Sequence, residues 1–233
     1  MKRVKKEKSV SSKGKKNKEE PLLTGEMKMI GGWIVGLVII FLLSYFLFAN
    51  LGKVKYEGLV FNKDKFGNIP IYTYSYSFKD KTGTGILKYN FYTRTDPSNN
   101  DVPVNGEIFF PPTTKFVYLS INGTGIGNCR YNDVAISQIS IAGLSAFLVN
   151  NQYEVRVGTP DENEANTTNS KYVSCEKYPE HMVISIQKAD ETRIYREDNC
   201  YHIDVAECQI LEAIEKFEVE SLADARRRAI ERS

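Results

Sequence analysis

The longest hydrophobic feature of the chain runs from Met29 to Gly52 without a charged residue. Within it, Ile30–Phe48 is almost wholly apolar, and a helix that crosses a bilayer needs about 20 such residues. Trp33 stands near one end and Tyr45 near the other, where interfacial aromatics are favoured. The pattern predicts a transmembrane helix over 29–50. A cleaved signal peptide has a shorter apolar core, about 7–15 residues, followed by small residues. This run ends Phe46-Leu47-Phe48-Ala49, which lacks the small residue three places before a cut, so an uncleaved signal-anchor is expected.

Beyond the anchor the period falls to two. Tyr56–Phe61 reads as a first strand. In Ile69–Phe78, Tyr72, Tyr74, Tyr76 and Phe78 share one face while Thr73, Ser75 and Ser77 share the other. Asp80-Lys81-Thr82-Gly83 supplies a turn, Ile86–Thr93 returns, and Val104–Phe110 is shorter and ends at Pro111-Pro112. Residues 54–112 thus form an antiparallel β part. The aromatic stripe is read as cross-strand packing rather than as a ligand platform.

A mixed α/β part follows over 113–219. Phe116–Ile121 is a buried strand, Tyr131–Leu148 a helix with Asp133 in its first turn, and Tyr153–Val157 a strand. Gly158–Cys175 reads as a polar loop. His181–Ile186 and Thr192–Tyr195 read as a hairpin, with Cys200–Val205 as a third strand. Glu207–Phe217 is a helix, and Ser221-x-x-Asp224 looks like the capped start of a separate charged helix over 221–232. The expected class is α+β: one transmembrane helix, then an extracytoplasmic domain over 51–233 with a mixed sheet and two main helices.

Charge sets the orientation. Residues 1–28 carry ten Lys/Arg against four Asp/Glu, whereas only Lys53 and Lys55 closely follow the apolar run. Positive residues stay inside, so 1–28 is read as a basic, disordered cytoplasmic tail that touches anionic lipid. With the whole chain at +2, the rest is net negative, and no nucleic-acid partner is expected.

Four cysteines, Cys129, Cys175, Cys200 and Cys208, all follow the anchor and allow three pairings. Outside the cytoplasm they are read as structural disulfides, with a redox role for Cys129 and Cys208 as the rival. Cys129 and Cys208 each follow a strand and lead into a helix, while Cys175 and Cys200 each precede a strand. If the two helix-leading strands are parallel neighbours, Cys129 pairs with Cys208 and Cys175 with Cys200. A metal reading needs Cys-x-x-Cys-type spacing or a nearby His, neither of which is assigned to either pair, so no metal site is expected.

No catalytic set emerges, and no cofactor is expected. His181 and His202 are the only histidines, and no motif sets a Ser or Cys beside them. Asn122-Gly123-Thr124-Gly125-Ile126-Gly127-Asn128 links a strand to a helix but has neither the dinucleotide spacing nor a P-loop Lys. Asn122 and Asn166 open Asn-x-Thr sequons and are glycosylation candidates. Asp161, Glu162 and Glu164 cluster without EF-hand spacing.

The run Tyr89-Asn90-Phe91-Tyr92-Thr93-Arg94-Thr95-Asp96-Pro97, followed by Val102-Pro103-Val104-Asn105-Gly106, resembles a segment of small, uncharacterised archaeal membrane-anchored proteins. Ala189-Asp190-Glu191-Thr192, Asn199-Cys200-Tyr201 and Leu211–Phe217 share the resemblance. It implies a cell-envelope location and carries no activity. The functional expectation is a membrane-anchored interaction or structural protein, held in lipid by residues 29–50 and partnered by another envelope protein. A ligand-binding receptor domain with a pocket near residues 122–133 is the alternative, and a thiol-redox enzyme the third reading.

Overall fold

A computed structural model describes residues 25–79, 85–109, 116–137, 139 and 154–231. Most of the expected tail lies outside the described residues. The apolar run forms helix α1, Gly25–Leu51. Its segment Met29–Leu47 is long and apolar enough to cross a membrane, and none of it is buried. Residues from Leu51 onward form a compact unit of their own.

That unit contains two sheets. The first is antiparallel, with β1 (Lys53–Tyr56), β2 (Leu59–Phe66), β3 (Ile69–Lys79) and β4 (Ile86–Thr93) in sequential order. The single strand expected over Tyr56–Phe61 is instead a hairpin. Glu57 and Gly58 take φ of 45° and 77° between β1 and β2. Two left-handed residues make the turn whose twist matches that of paired strands, and glycine makes the second inexpensive. On β3 the alternation holds. Tyr74 lies opposite Phe91 and Tyr76 opposite Tyr89, and Tyr76 and Tyr89 have ring centroids 5.4 Å apart.

The second sheet has six strands: β5 (Val104–Asn105), β6 (Phe116–Ile121), β7 (Glu154–Gly158), β8 (Met182–Lys188), β9 (Arg193–Glu197) and β10 (Cys200–Val205). Their spatial order is β5-β9-β10-β8-β6-β7. Strands β7, β6, β8 and β10 run parallel, and β9 is antiparallel to β10. The expected hairpin of the His181 and Thr192 strands is therefore not formed. The hairpin is β9–β10, and β10 lies between β8 and β9. The cause is burial. Met182–Ile186 is buried on both faces, as a central parallel strand is. The link 189–192 needs to span only two strand spacings, about 10 Å. Of the expected strand Val104–Phe110, the structure keeps Val104–Asn105, and Phe110 lies outside the described residues.

The helices are α2 (Gly123–Ile126), α3 (Asn132–Ser137), α4 (Glu162–Thr168) and α5 (Ile210–Glu231). Of the helix expected over Tyr131–Leu148, Asn132–Ser137 is present as α3, and 138 and 140–148 lie outside the described residues. The expected loop Gly158–Cys175 contains α4. Asp161 caps it, its side chain accepting from the amides of Asn163 and Glu164. That bond explains the acidic cluster as a helix start.

Helix α5 replaces the two C-terminal helices expected. Ile210, Leu211, Ala213, Ile214 and Phe217 pack on the six-stranded sheet. Val219 and Ala223 pack on the first sheet against Leu59, Phe61, Tyr72 and Phe91. The apolar stripe runs unbroken past Ser221, whose hydroxyl donates back to Glu218 O at 2.7 Å instead of capping a new helix. Asp224 accepts from the Ile108 amide at 2.6 Å. One helix thus spans both sheets, and its stripe buries the inner face of each.

Candidate functional site on the open sheet face

Successive strand residues point to opposite faces. On β6, β8 and β10 the residues turned from α5 are Tyr118 and Ser120, Val183 and Ser185, and Cys200, His202 and Asp204. Register aligns them in rows. Ser120 is opposite Ser185, Ser185 opposite His202, and His202 opposite Tyr195. One step away lie Tyr118, Val183, Cys200 and Glu197. A polar row beside a mainly apolar row that ends at Glu197 thus crosses adjacent strands, although its members are far apart in sequence.

The segment between β7 and β8 folds over this face. Thr159 N donates to Lys171 O and Val173 N to Thr159 O, while Ser120 Oγ donates to Val173 O at 2.7 Å. Gly158 permits the close approach, since a Cβ there would lie 2.1 Å from Lys171 O. Between segment and sheet is a cavity of about 700 Å³, open to solvent, within the range of small-molecule sites. Its floor includes Ser120, Val183, Ser185 and His202, and its rim includes Glu176, Glu197 and Asp198. No Lys or Arg is among its described lining residues.

Both histidines line it. His202 Nε2 is 3.7 Å from Glu197 Oε2, and its ring stacks on Tyr195 with centroids 4.7 Å apart. Burial, and then the carboxylates of Asp204 and Glu197, push the Tyr195 phenol above its ordinary range. His181 sits 5.4 Å from the Tyr118 ring and 5.6 Å from the Phe116 ring, centroid to centroid. Nδ1 of each histidine is buried without a hydrogen-bond partner. Neither serine of the row bonds His202 Nδ1.

The cysteines form Cys129–Cys208 and Cys175–Cys200, with Cα–Cα distances of 5.2 Å and 5.7 Å, in the range disulfides span. This is the pairing expected from the strand directions, with one correction. The helix-leading strands β6 and β10 are parallel but not neighbours, because β8 lies between them. The bond Cys129–Cys208 links the two sides across it. Cys175–Cys200 lines the cavity, whereas Cys129 packs at the main core, away from it. Of the two bonds, only Cys175–Cys200 is among the described residues that face the cavity. The expectation that no histidine lies near a cysteine pair is also overturned. Both sulfurs of Cys175 and Cys200 and a ring nitrogen of His202 lie within 4.8 Å of one another. Spacing held the signal: Cys200-x-His202 is a same-face pair on a strand, legible once that strand is assigned.

This cavity is not lined by residues 122–133, the place the ligand-receptor alternative points to. Gly123–Ile126 forms a single turn, Asn122 caps it by accepting from the Thr124 amide at 3.1 Å, and Ile126 is buried. Gly125 approaches the Lys188 stem so closely that a Cβ would lie 2.9 Å from it, so this glycine serves packing. Asn122 is half-buried, and Asn166 is exposed on α4 rather than in a loop.

Comparison with family models, curated proteins and solved structures finds no match. The archaeal resemblance gains no support from them, and the site is read from its own chemistry.

Proposed function

We propose that this chain is a membrane-anchored, extracytoplasmic ligand-binding protein whose groove takes small amine-bearing molecules. The observation that carries this reading is the cavity of about 700 Å³ with its lining. Three carboxylates, two imidazoles and four hydroxyls line it, with no Lys or Arg among the described lining residues. Such a wall favours cations and hydrogen-bond donors, while Val183, Tyr178 and the prolines offer apolar contact. The groove moves the reading from an envelope interaction module to ligand capture. The anchor is supported by the exposed apolar helix. The outside location is supported by two disulfides, which persist in oxidising compartments, and by ten Lys/Arg before the helix.

Calorimetric titration of the full chain in detergent micelles tests the reading. Spermidine or glucosamine should bind saturably and glucuronate should not. Replacing Glu197 with Gln together with Asp198 with Asn should weaken amine binding about tenfold, the loss of roughly 1.4 kcal/mol. Absence of binding by both amines to millimolar concentration, or equal binding of glucuronate, would refute it.

A further inference from the structure

The disulfide in the groove has a setting that the other lacks. Cys200 opens β10 and is buried, while Cys175 on the covering segment is half-buried and accessible from the cavity. Two residues along β10, on the same face, His202 brings one imidazole nitrogen within 4.8 Å of both sulfurs. Glu197 is the cross-strand partner of Cys200, and its carboxylate stands 3.7 Å from His202 Nε2. The other ring nitrogen, Nδ1, is buried and accepts or donates no hydrogen bond.

From this geometry we infer that Cys175, Cys200 and His202 form a redox-gated zinc site. The oxidised pair cannot bind, because its sulfurs are bonded to each other and carry no thiolate. A dithiol reductant converts the Cys175–Cys200 bond to two thiols and becomes a disulfide itself. A zinc ion then displaces the two thiol protons and forms two Zn–S bonds, with no further electron transfer. The ligands are two thiolates and one imidazole, the sulfur–nitrogen set that zinc prefers. Tetrahedral bonds of about 2.0–2.3 Å place ligand atoms about 3.3–3.8 Å apart, within reach of small side-chain rotations from the present spacing. Glu197, 3.7 Å from Nε2, is a small side-chain rotation from the hydrogen bond that would support the imidazole there and leave the unpartnered Nδ1 for the metal, as carboxylates do for histidine ligands. The fourth position faces the groove and is left for water or a bound molecule. Reduction thereby changes the groove from one bridged by a covalent clip to one holding a Lewis acid. The inference rests on the cysteine and histidine geometry, and it stands whether or not the groove binds amines.

The test uses the full chain in detergent micelles, reduced with a phosphine, which takes oxygen from water as it is oxidised and adds no thiol of its own. Cobalt(II) serves as the spectroscopic probe for the zinc position. The reduced chain should take up one Co²⁺ with thiolate charge-transfer bands and the intense visible bands of tetrahedral coordination, and Zn²⁺ should displace it. The oxidised chain should show neither. Cys129→Ser with Cys208→Ser should retain the bands, while Cys175→Ser with Cys200→Ser should abolish them. His202→Gln should weaken Co²⁺ binding tenfold or more. Near-UV circular dichroism monitors the fold throughout. Lack of binding by the reduced chain, binding that survives loss of Cys175 and Cys200, an unchanged affinity in His202→Gln, or binding only once the near-UV signal is lost would each overturn the site.

Discussion

Glu215 on helix α5 accepts a 2.7 Å hydrogen bond from the backbone amide of Arg94, 121 residues earlier, at the end of the first sheet. Its second oxygen accepts from the Thr95 amide at 2.9 Å. One buried carboxylate thus satisfies the two amides where the chain leaves β4, and it fastens that exit to the helix spanning both sheets. Beside it, Lys216 Nζ donates to Tyr56 OH at 2.8 Å and to Asn100 O at 3.1 Å, and pairs with Glu220 at 3.3 Å.

Burial raises the Glu215 carboxyl above the ordinary glutamate range, and the two amide hydrogen bonds oppose that rise without cancelling it. The folded chain therefore holds this proton more tightly than the unfolded chain. The associated stability is full below the unfolded value and is lost as pH rises through the folded one. Glu215→Gln should flatten the decline in melting temperature over that window, since an amide does not titrate, while lowering stability throughout because its NH2 cannot accept from the second backbone amide. Glu215→Ala should cost about 2–3 kcal/mol by leaving both amides without their acceptor. Thermal melts across pH check both, and an unchanged slope in the Gln variant would remove Glu215 as the source.

Gly158 is placed by contact rather than by dihedral. An added Cβ would meet Lys171 O at 2.1 Å and Val173 Cγ2 at 2.6 Å. Gly158→Ala should lower stability by about 1–3 kcal/mol, as overpacking does, and should loosen the segment that roofs the groove. Denaturant melts and hydrogen exchange at the Thr159 and Val173 amides measure the two effects. Faster exchange confined to those amides is the expected result.

The disulfides should differ in what they contribute. Cys129–Cys208 closes 79 residues and Cys175–Cys200 closes 25. Loop-closure entropy assigns about 4 kcal/mol to the first and about 3 kcal/mol to the second. Cys129→Ala with Cys208→Ala should therefore lower the melting temperature more than the equivalent loss of the other pair. Non-reducing peptide mapping should recover these two linkages; a Cys129–Cys175 or Cys200–Cys208 peptide would contradict the strand directions.

Topology is testable in intact cells. With ten Lys/Arg before the helix, protease added outside should digest residues 60–233 and spare the tail. Protection of the domain with loss of the tail would reverse the orientation.

The sequence by itself determined what depends on local pattern. The uncharged run marked α1, and period-two alternation marked β3 and β4. Each is decided by neighbours within a few residues, or by a charge count that needs no fold. Tertiary structure decided the order of strands. A buried apolar run such as Met182–Ile186 marks a strand but does not name its partners, and only packing set β10 between β8 and β9. Helix α5 runs through Ser221 because two sheets bury its successive turns, a reward the local cap signal cannot weigh. The groove arises in the same way. Ser120, Ser185 and His202 become one row, and Cys175 reaches His202, only when parallel register brings β6, β8 and β10 side by side. Register is set by long-range burial, so the chemistry of this site had no linear signature beyond Cys200-x-His202.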